Sequence, residues 1–231
     1  MLHIIQNDPE VPPGNITANL DASGIITCLH HPYLGDPLPE LRDVSALIVL
    51  GGAMGANDDA CYPFLYELKM FIRQAVRGGI PYLGICLGGQ LLAAAMGGNV
   101  VSNRWEERGT LPVQVHDAGR VDTLFSALPP EFITFQWHHD SFDLPEGGVL
   151  LAGSKQCPHQ AFRVGPCAWG TQFHPEVTEE IIRDWCSWDR DTACREEDLA
   201  GAWLAVRPEY ERLARMQLLR FLAIAGLYPP A

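Results

Sequence analysis

Cys86 stands where an apolar run stops and glycines begin, in Tyr82-Leu83-Gly84-Ile85-Cys86-Leu87-Gly88-Gly89-Gln90, followed by Leu91-Leu92-Ala93-Ala94-Ala95. The order reads as buried strand, tight turn and helix, with a thiol at the turn. A nucleophile placed there stands clear of the sheet. The first-turn N–H groups of the helix lie beside it, so the site can favour a thiolate and stabilise an oxyanion. Gly84 and Gly88, two residues to either side, allow strand and helix backbones to approach where a Cβ would clash.

A thiol nucleophile needs a base, and the base needs an acceptor to orient it. Of the eight histidines, only His174 ends a buried apolar strand and stands two residues before a carboxylate, in Gln172-Phe173-His174-Pro175-Glu176. Pro175 keeps the local backbone extended. Glu176 can then turn back to hold one ring nitrogen and leave the other to take the thiol proton. On its own, His-Pro-Glu would read as a helix-start turn with a capping role; beside the Cys86 elbow, the catalytic reading is preferred.

Other chemistry is weaker. Gly51-Gly52-Ala53-Met54-Gly55 follows the apolar run Ala46-Leu47-Ile48-Val49-Leu50, but it lacks the dinucleotide-binding spacing and the lysine of a P-loop. It reads as a turn offering N–H groups to an anion. His30 and His31 are adjacent, and neighbouring side chains on a strand point to opposite faces, so the pair reads as a strand end rather than as joint metal ligands. Seven cysteines without a C-x-x-C pair suggest neither a disulfide framework nor a zinc cage.

The elements that must carry these groups alternate. A first strand within residues 1–8, a helix over 15–22, a strand over 25–29, the run at 46–50, a helix over 64–76 introduced by Asn57-Asp58-Asp59, and the strand at 81–85 succeed one another. This is the order of an α/β chain: a doubly wound, mostly parallel sheet with helices on both faces. Ligands of such sheets bind at the carboxyl ends of the strands, where Gly51-Gly52 and Cys86 both fall. From 99 to 173 short β-like pieces predict a mixed or antiparallel extension of the sheet. The remainder reads as helical, with a periodic helix from Pro208 to Gly226. No linker divides the chain, so residues 1–231 are expected to form a single domain with a helical tail over about 186–231.

The 231 residues are 47% hydrophobic, enough for a substantial core. A formal charge of −12 argues against a nucleic-acid partner. There is no apolar run of membrane-spanning length and no signal-like start, so a cytoplasmic protein without a membrane partner is expected.

Together, Gly84 to Gln90 and Gln172 to Glu176 resemble the paired signature of class I, triad-type glutamine amidotransferases. The likeness spans residues 44 to about 185 and is nearest to stand-alone proteins similar to the glutaminase domain of GMP synthase. It implies a flavodoxin-like fold, Cys86 as nucleophile, His174 as base and then acid, and Glu176 as its orienter. It further implies an oxyanion hole from the N–H groups of Gly52 and Leu87. Gln90 would contact the substrate, and the 137–141 segment would hold its α-amino and α-carboxyl groups, with His138 and Asp140 as candidates. No metal or cofactor is required by that chemistry. Relatives usually carry proline where this chain has Ala53, a change expected to loosen the oxyanion loop.

Three readings follow. In the first, the chain is a glutaminase that releases ammonia for a separate synthetase subunit, because a GMP synthase needs further domains that these residues do not contain. In the second it is a free-standing hydrolase of γ-glutamyl compounds with the same triad. In the third it is a non-catalytic binding protein, which has no physical need to keep all three triad groups. Trp185, Trp188 and Trp203 are either a docking surface or, more simply, packing against the chain's own sheet.

Overall fold

The computed structural model describes residues 1–188 and 190–229; Asp189, Pro230 and Ala231, all in the expected helical tail, lie outside the described residues. The elements are β1 (Leu2–Ile5), α1 (Asn15–Ala22), β2 (Thr27–His30), β3 (Ala46–Val49), α2 (Phe64–Arg77), β4 (Tyr82–Ile85), α3 (Leu87–Ala95), β5 (Val100–Val101), β6 (Glu107–Val115), α4 (Asp117–Arg120), β7 (Glu131–His138), β8 (Ser141–Phe142), β9 (Val149–Gly153), β10 (Ala161–Val164), β11 (Ala168–Thr171), α5 (Glu179–Cys186), α6 (Arg190–Ala193) and α7 (Glu196–Ile224).

Nine strands form one sheet in the order β2-β1-β3-β4-β11-β10-β9-β6-β7, with β5 and β8 paired separately. The strands from β2 to β11 run parallel, and the rest join antiparallel, as the short β-like pieces predict. Continuous apolar runs serve a sheet buried on both sides. In β3, Ala46 and Ile48 face a core completed by Ile16 and Leu20 of α1 and by Leu218, Phe221 and Leu222 of α7. Leu47 and Val49 face the opposite core, completed by Leu65, Leu68 and Ile72 of α2 and by Leu91 and Leu92 of α3. A third cluster packs α5 and the first half of α7 against Phe135 of β7.

Two expectations are corrected. Asn57, Asp58 and Asp59 do not cap α2, which starts after Pro63 without a side-chain cap. Their polar groups are spent elsewhere: Asp58 accepts from the Gly55 N–H, Asn57 donates to the Val100 carbonyl of β5, and Asp59 pairs with Lys69 of α2. The last helix does not begin at Pro208 but runs through it, from Glu196. Proline removes a donor to the carbonyl four residues earlier, here that of Leu204, which lies at an exposed position where water can replace the bond.

Candidate active site

The elbow is built by backbone contact. Cys86 has φ 50° and ψ −108°, a region that residues with side chains rarely adopt. Its neighbours hold it there: the Cys86 N–H donates to the Thr171 carbonyl at 2.8 Å, and its carbonyl accepts from the Gln90 N–H at 3.0 Å. A Cβ on Gly84 would lie 2.4 Å from the Gly88 carbonyl oxygen, and one on Gly88 would lie 2.0 Å from that of Val49. The glycines flanking Cys86 are thus what lets α3 start directly above β3 and β4. The first turn of α3 leaves the Leu87 N–H without an intrahelical acceptor.

Across β4 from the elbow, β11 ends and the chain continues to His174. His174 and Cys86 both flank Gly51: a Cβ there would lie 3.3 Å from His174 Cε1 and 3.6 Å from Cys86 Cβ. His174 Nδ1 is 2.6 Å from Glu176 Oε1, and both side chains are buried. Burial by itself lowers the pKa of the His174 imidazole, but the charges of Glu176 and Cys86 outweigh it and push the value up to about 10. Nε2, on the other side of the ring, is buried and has no hydrogen-bond partner within the described residues. The structure therefore brings the three residues together, with one ring nitrogen fixed by a carboxylate and the other available to the thiol.

The backbone of 174–177 is held from three sides. Tyr210 of α7 donates its hydroxyl to the His174 carbonyl at 2.8 Å and accepts from the Val177 N–H at 3.1 Å. The His174 N–H donates to the Phe135 carbonyl at 2.9 Å, and the Asn15 N–H to that of Glu176 at 2.9 Å. The helix cap that follows belongs to Thr178, which accepts from the Ile181 N–H. Trp185 closes the ring's other side, edge-on to His174 with centroids 4.9 Å apart. Trp185 and Trp203 are each 1% exposed, so they pack inward rather than forming an open surface.

Cys86 opens onto a cleft of about 190 Å³ that Gly52, Gln90, Asp140, Arg108 and Trp188 also line. Gly52 lies against Leu87: a Cβ on it would be 2.9 Å from Leu87 Cδ2. The Ala53 N–H donates to Asp8 Oδ2 at 2.9 Å. Proline has no such donor, so a polar tether stands where ring rigidity was expected to be missed. Gln90 Nε2 donates to Gln172 Oε1 at 3.2 Å, and Gln172 Nε2 to Cys86 Sγ at 3.5 Å. Asp140 accepts from the Asn103 N–H at 3.0 Å and from the Ser102 hydroxyl at 3.2 Å. His139 Nδ1 lies 2.6 Å from the same carboxylate.

His138 lines the cleft, but both its ring nitrogens are engaged: Nε2 is 3.2 Å from Glu107 Oε2 and Nδ1 is 3.2 Å from the Asp140 carbonyl. Any polar contact it makes with a ligand in this arrangement comes from its backbone. Glu107, His138 and Cys157 form a second, fully buried Cys-His-Glu grouping. Burial pushes the Cys157 thiol up to about 11, which keeps it protonated at neutral pH.

Four residues that shape the site, Gln172, Arg108, Asp8 and Tyr210, were not expected from the sequence. Gln172 lies inside the His174 motif and could have been singled out from its place at the strand end. The other three reach the site through pairings that span many residues and leave no local signal.

The family model for class-I glutamine amidotransferases matches residues 26–182. The chain is 30% identical over 154 residues to the glutamine amidotransferase-like protein YfeJ of Salmonella typhimurium, covering 65% of this chain and 64% of YfeJ. It is 34% identical over 161 residues to one subunit of the glutamine-hydrolysing GMP synthase of Methanocaldococcus jannaschii, covering 65% of this chain and 78% of that one. It spans only 28% of the longer GMP synthases it matches. A crystal structure of a glutamine amidotransferase from Thermotoga maritima superimposes with a TM-score of 0.87 at 28% identity, covering 96% of this chain and 97% of that one. The match over most of the chain, together with the shared fold, identifies the protein as a member of the class I glutamine amidotransferase family.

Proposed function

We propose that this chain hydrolyses the side-chain amide of glutamine through a γ-glutamyl thioester on Cys86. The observation that carries the reading is the strained Cys86 turn at the mouth of the cleft, with the His174–Glu176 pair at 2.6 Å beside it. Thiolate attack on the amide carbon gives a tetrahedral oxyanion, which the N–H groups of Gly52 and Leu87 stabilise. Removing one such donor typically costs about 3 kcal/mol of transition-state stabilisation. His174, held as imidazolium, gives its Nε2 proton to the leaving ammonia. The neutral ring then takes a proton from water, which cleaves the thioester and releases glutamate. Gln90, Asp140 and the His138 backbone hold the substrate's amino-acid end, and the Arg108 guanidinium on the cleft wall, paired through Nε with Glu106 at 3.0 Å, adds positive charge near its α-carboxylate.

Two predictions arise here. In Glu176→Gln the ring loses the charge that raises its pKa, so the imidazolium is lost at lower pH. The ordinary imidazole value is 6.5 and the folded value is about 10. Stabilisation from the charged ring is therefore full below the first and fades as pH rises through the second. A pH profile of kcat should show an alkaline limb that moves to lower pH in the variant. In Asp8→Ala the Ala53 tether is lost, and kcat should fall roughly tenfold with KM little changed, as expected when an oxyanion donor is displaced rather than removed.

By likeness to the Methanocaldococcus jannaschii GMP synthase subunit, the ammonia is destined for a separate synthetase. The test is release of ammonia and glutamate by the purified chain, from glutamine and from a panel of γ-glutamyl peptides. Slow glutamine turnover without peptide cleavage supports the synthetase-coupled reading. Rapid Cys86-dependent peptide cleavage supports a free-standing γ-glutamyl hydrolase instead.

A further inference from the structure

At the sheet edge away from β7, His3 of β1 stands in register with Cys28 of β2, and His30 lies two residues further along the same face of β2. His3 Nδ1 is 2.9 Å from His30 Nε2. The outer nitrogen of each ring meets a backbone carbonyl: His3 Nε2 lies 3.3 Å from the Asp43 oxygen, and His30 Nδ1 lies 3.2 Å from the Pro37 oxygen. A carbonyl can only accept, so in the tautomer that makes both outer bonds each outer nitrogen is the N–H. A neutral imidazole has only one N–H. Both facing nitrogens then present lone pairs to each other at hydrogen-bonding distance, an arrangement that needs a positive charge near both.

A proton on one ring is one way to supply it. A metal ion satisfies both lone pairs at once, and an imidazole whose far N–H donates to a carbonyl is the usual form of a histidine ligand. The third donor is present: the His3, His30 and Cys28 ligand atoms all lie within 4.8 Å of one another. Tetrahedral zinc, with Zn–N of ~2.0 Å and Zn–S of ~2.3 Å, needs its nitrogens ~3.3 Å apart and each ~3.6 Å from the sulfur. The two rings would open by only a few tenths of an ångström, and the thiol would close by at most about 1.2 Å.

We propose that His3, Cys28 and His30 form a binding site for a borderline divalent cation, zinc foremost, with its fourth position open to solvent. Two imidazoles and a thiolate suit zinc and exclude magnesium and calcium, which take oxygen ligands. Binding releases the Cys28 thiol proton and clips the edge strand β2 to β1, with the 31–45 connection supplying the two carbonyls that orient the rings. The adjacent His31 takes no part; its Nδ1 lies 3.3 Å from Asp36 Oδ2. The site is independent of the glutaminase reading.

The test uses the full chain carrying Cys86→Ser, so that the elbow thiol cannot contribute. It is stripped with chelator and titrated with zinc chloride by calorimetry, then with cobalt chloride for its absorption spectrum. The expected result is one zinc per chain, an affinity weakened by about tenfold or more in His30→Ala and in Cys28→Ser, and a thiolate-to-cobalt charge-transfer band that Cys28→Ser removes. Saturating zinc should also raise the melting temperature of the parent and not of His30→Ala. Cys28→Ser preserves size at a half-buried position and remains informative if His30→Ala does not fold. A parent that binds no zinc, or binding that Cys28→Ser leaves unchanged, overturns the proposal.

Discussion

Replacing Cys86 by serine is expected to abolish glutamine hydrolysis and leave the protein folded. The change swaps one atom in a side chain that is 7% exposed, and the contacts that impose φ 50° are made by backbone, to Thr171 and Gln90. A serine hydroxyl is not ionised at neutral pH, so on the proposed mechanism the variant offers no thiolate to attack the amide. The loss in kcat should be about 10⁴-fold or more, the scale seen when a triad nucleophile is removed. Because the Cys86 charge is one of the causes that raise the His174 pKa, the ring should also titrate lower in the variant. Steady-state kinetics with a parallel thermal melt checks both halves: an unchanged melt with no turnover is expected.

The largest effect on stability is expected from Gly88→Ala. The added Cβ would lie 2.0 Å from the Val49 oxygen and 2.8 Å from its carbonyl carbon, both backbone atoms of β3 that cannot rotate aside. Helix α3 must lift from the sheet, at a cost of about 3 kcal/mol. Activity should fall with it, because Leu87 and Cys86 ride on the same turn. Gly201→Ala is the control: this glycine lies within α7 with no atom within 4 Å of a Cβ, and alanine there should be neutral or stabilising by up to about 1 kcal/mol. Urea unfolding midpoints of the two variants should move in opposite directions, or only the first should move.

The parts of this site that could be read in the sequence are those written contiguously. Gly84, Cys86 and Gly88 encode their own close approach, and His174 and Glu176 are two residues apart, so both halves of the triad region carry local signals. The βα alternation up to residue 96 likewise dictates a parallel sheet. What could not be read is non-local. The strand order beyond β11 follows from pairings such as Arg108 opposite Trp137, which set Arg108 on the cleft wall. Tyr210 reaches back from α7 to fix the His174 carbonyl. His30 looked like half of an adjacent pair, yet its partner is His3, brought beside it by parallel pairing of β1 and β2. Pro208 reads as a helix start because proline favours the first turn, and only the exposed Leu204 position explains how α7 continues through it.

The central claim is a γ-glutamyl thioester on Cys86, and partitioning of that intermediate tests it most directly. Glutamine turnover is followed in the presence of increasing hydroxylamine, which competes with water for an acyl-enzyme, and ammonia, glutamate and γ-glutamyl hydroxamate are each quantified. Hydroxamate is expected to form at the expense of glutamate while ammonia release is maintained, with all three products absent in Cys86→Ser. Glutamate yield untouched by hydroxylamine, or ammonia release that survives in Cys86→Ser, would contradict the thioester.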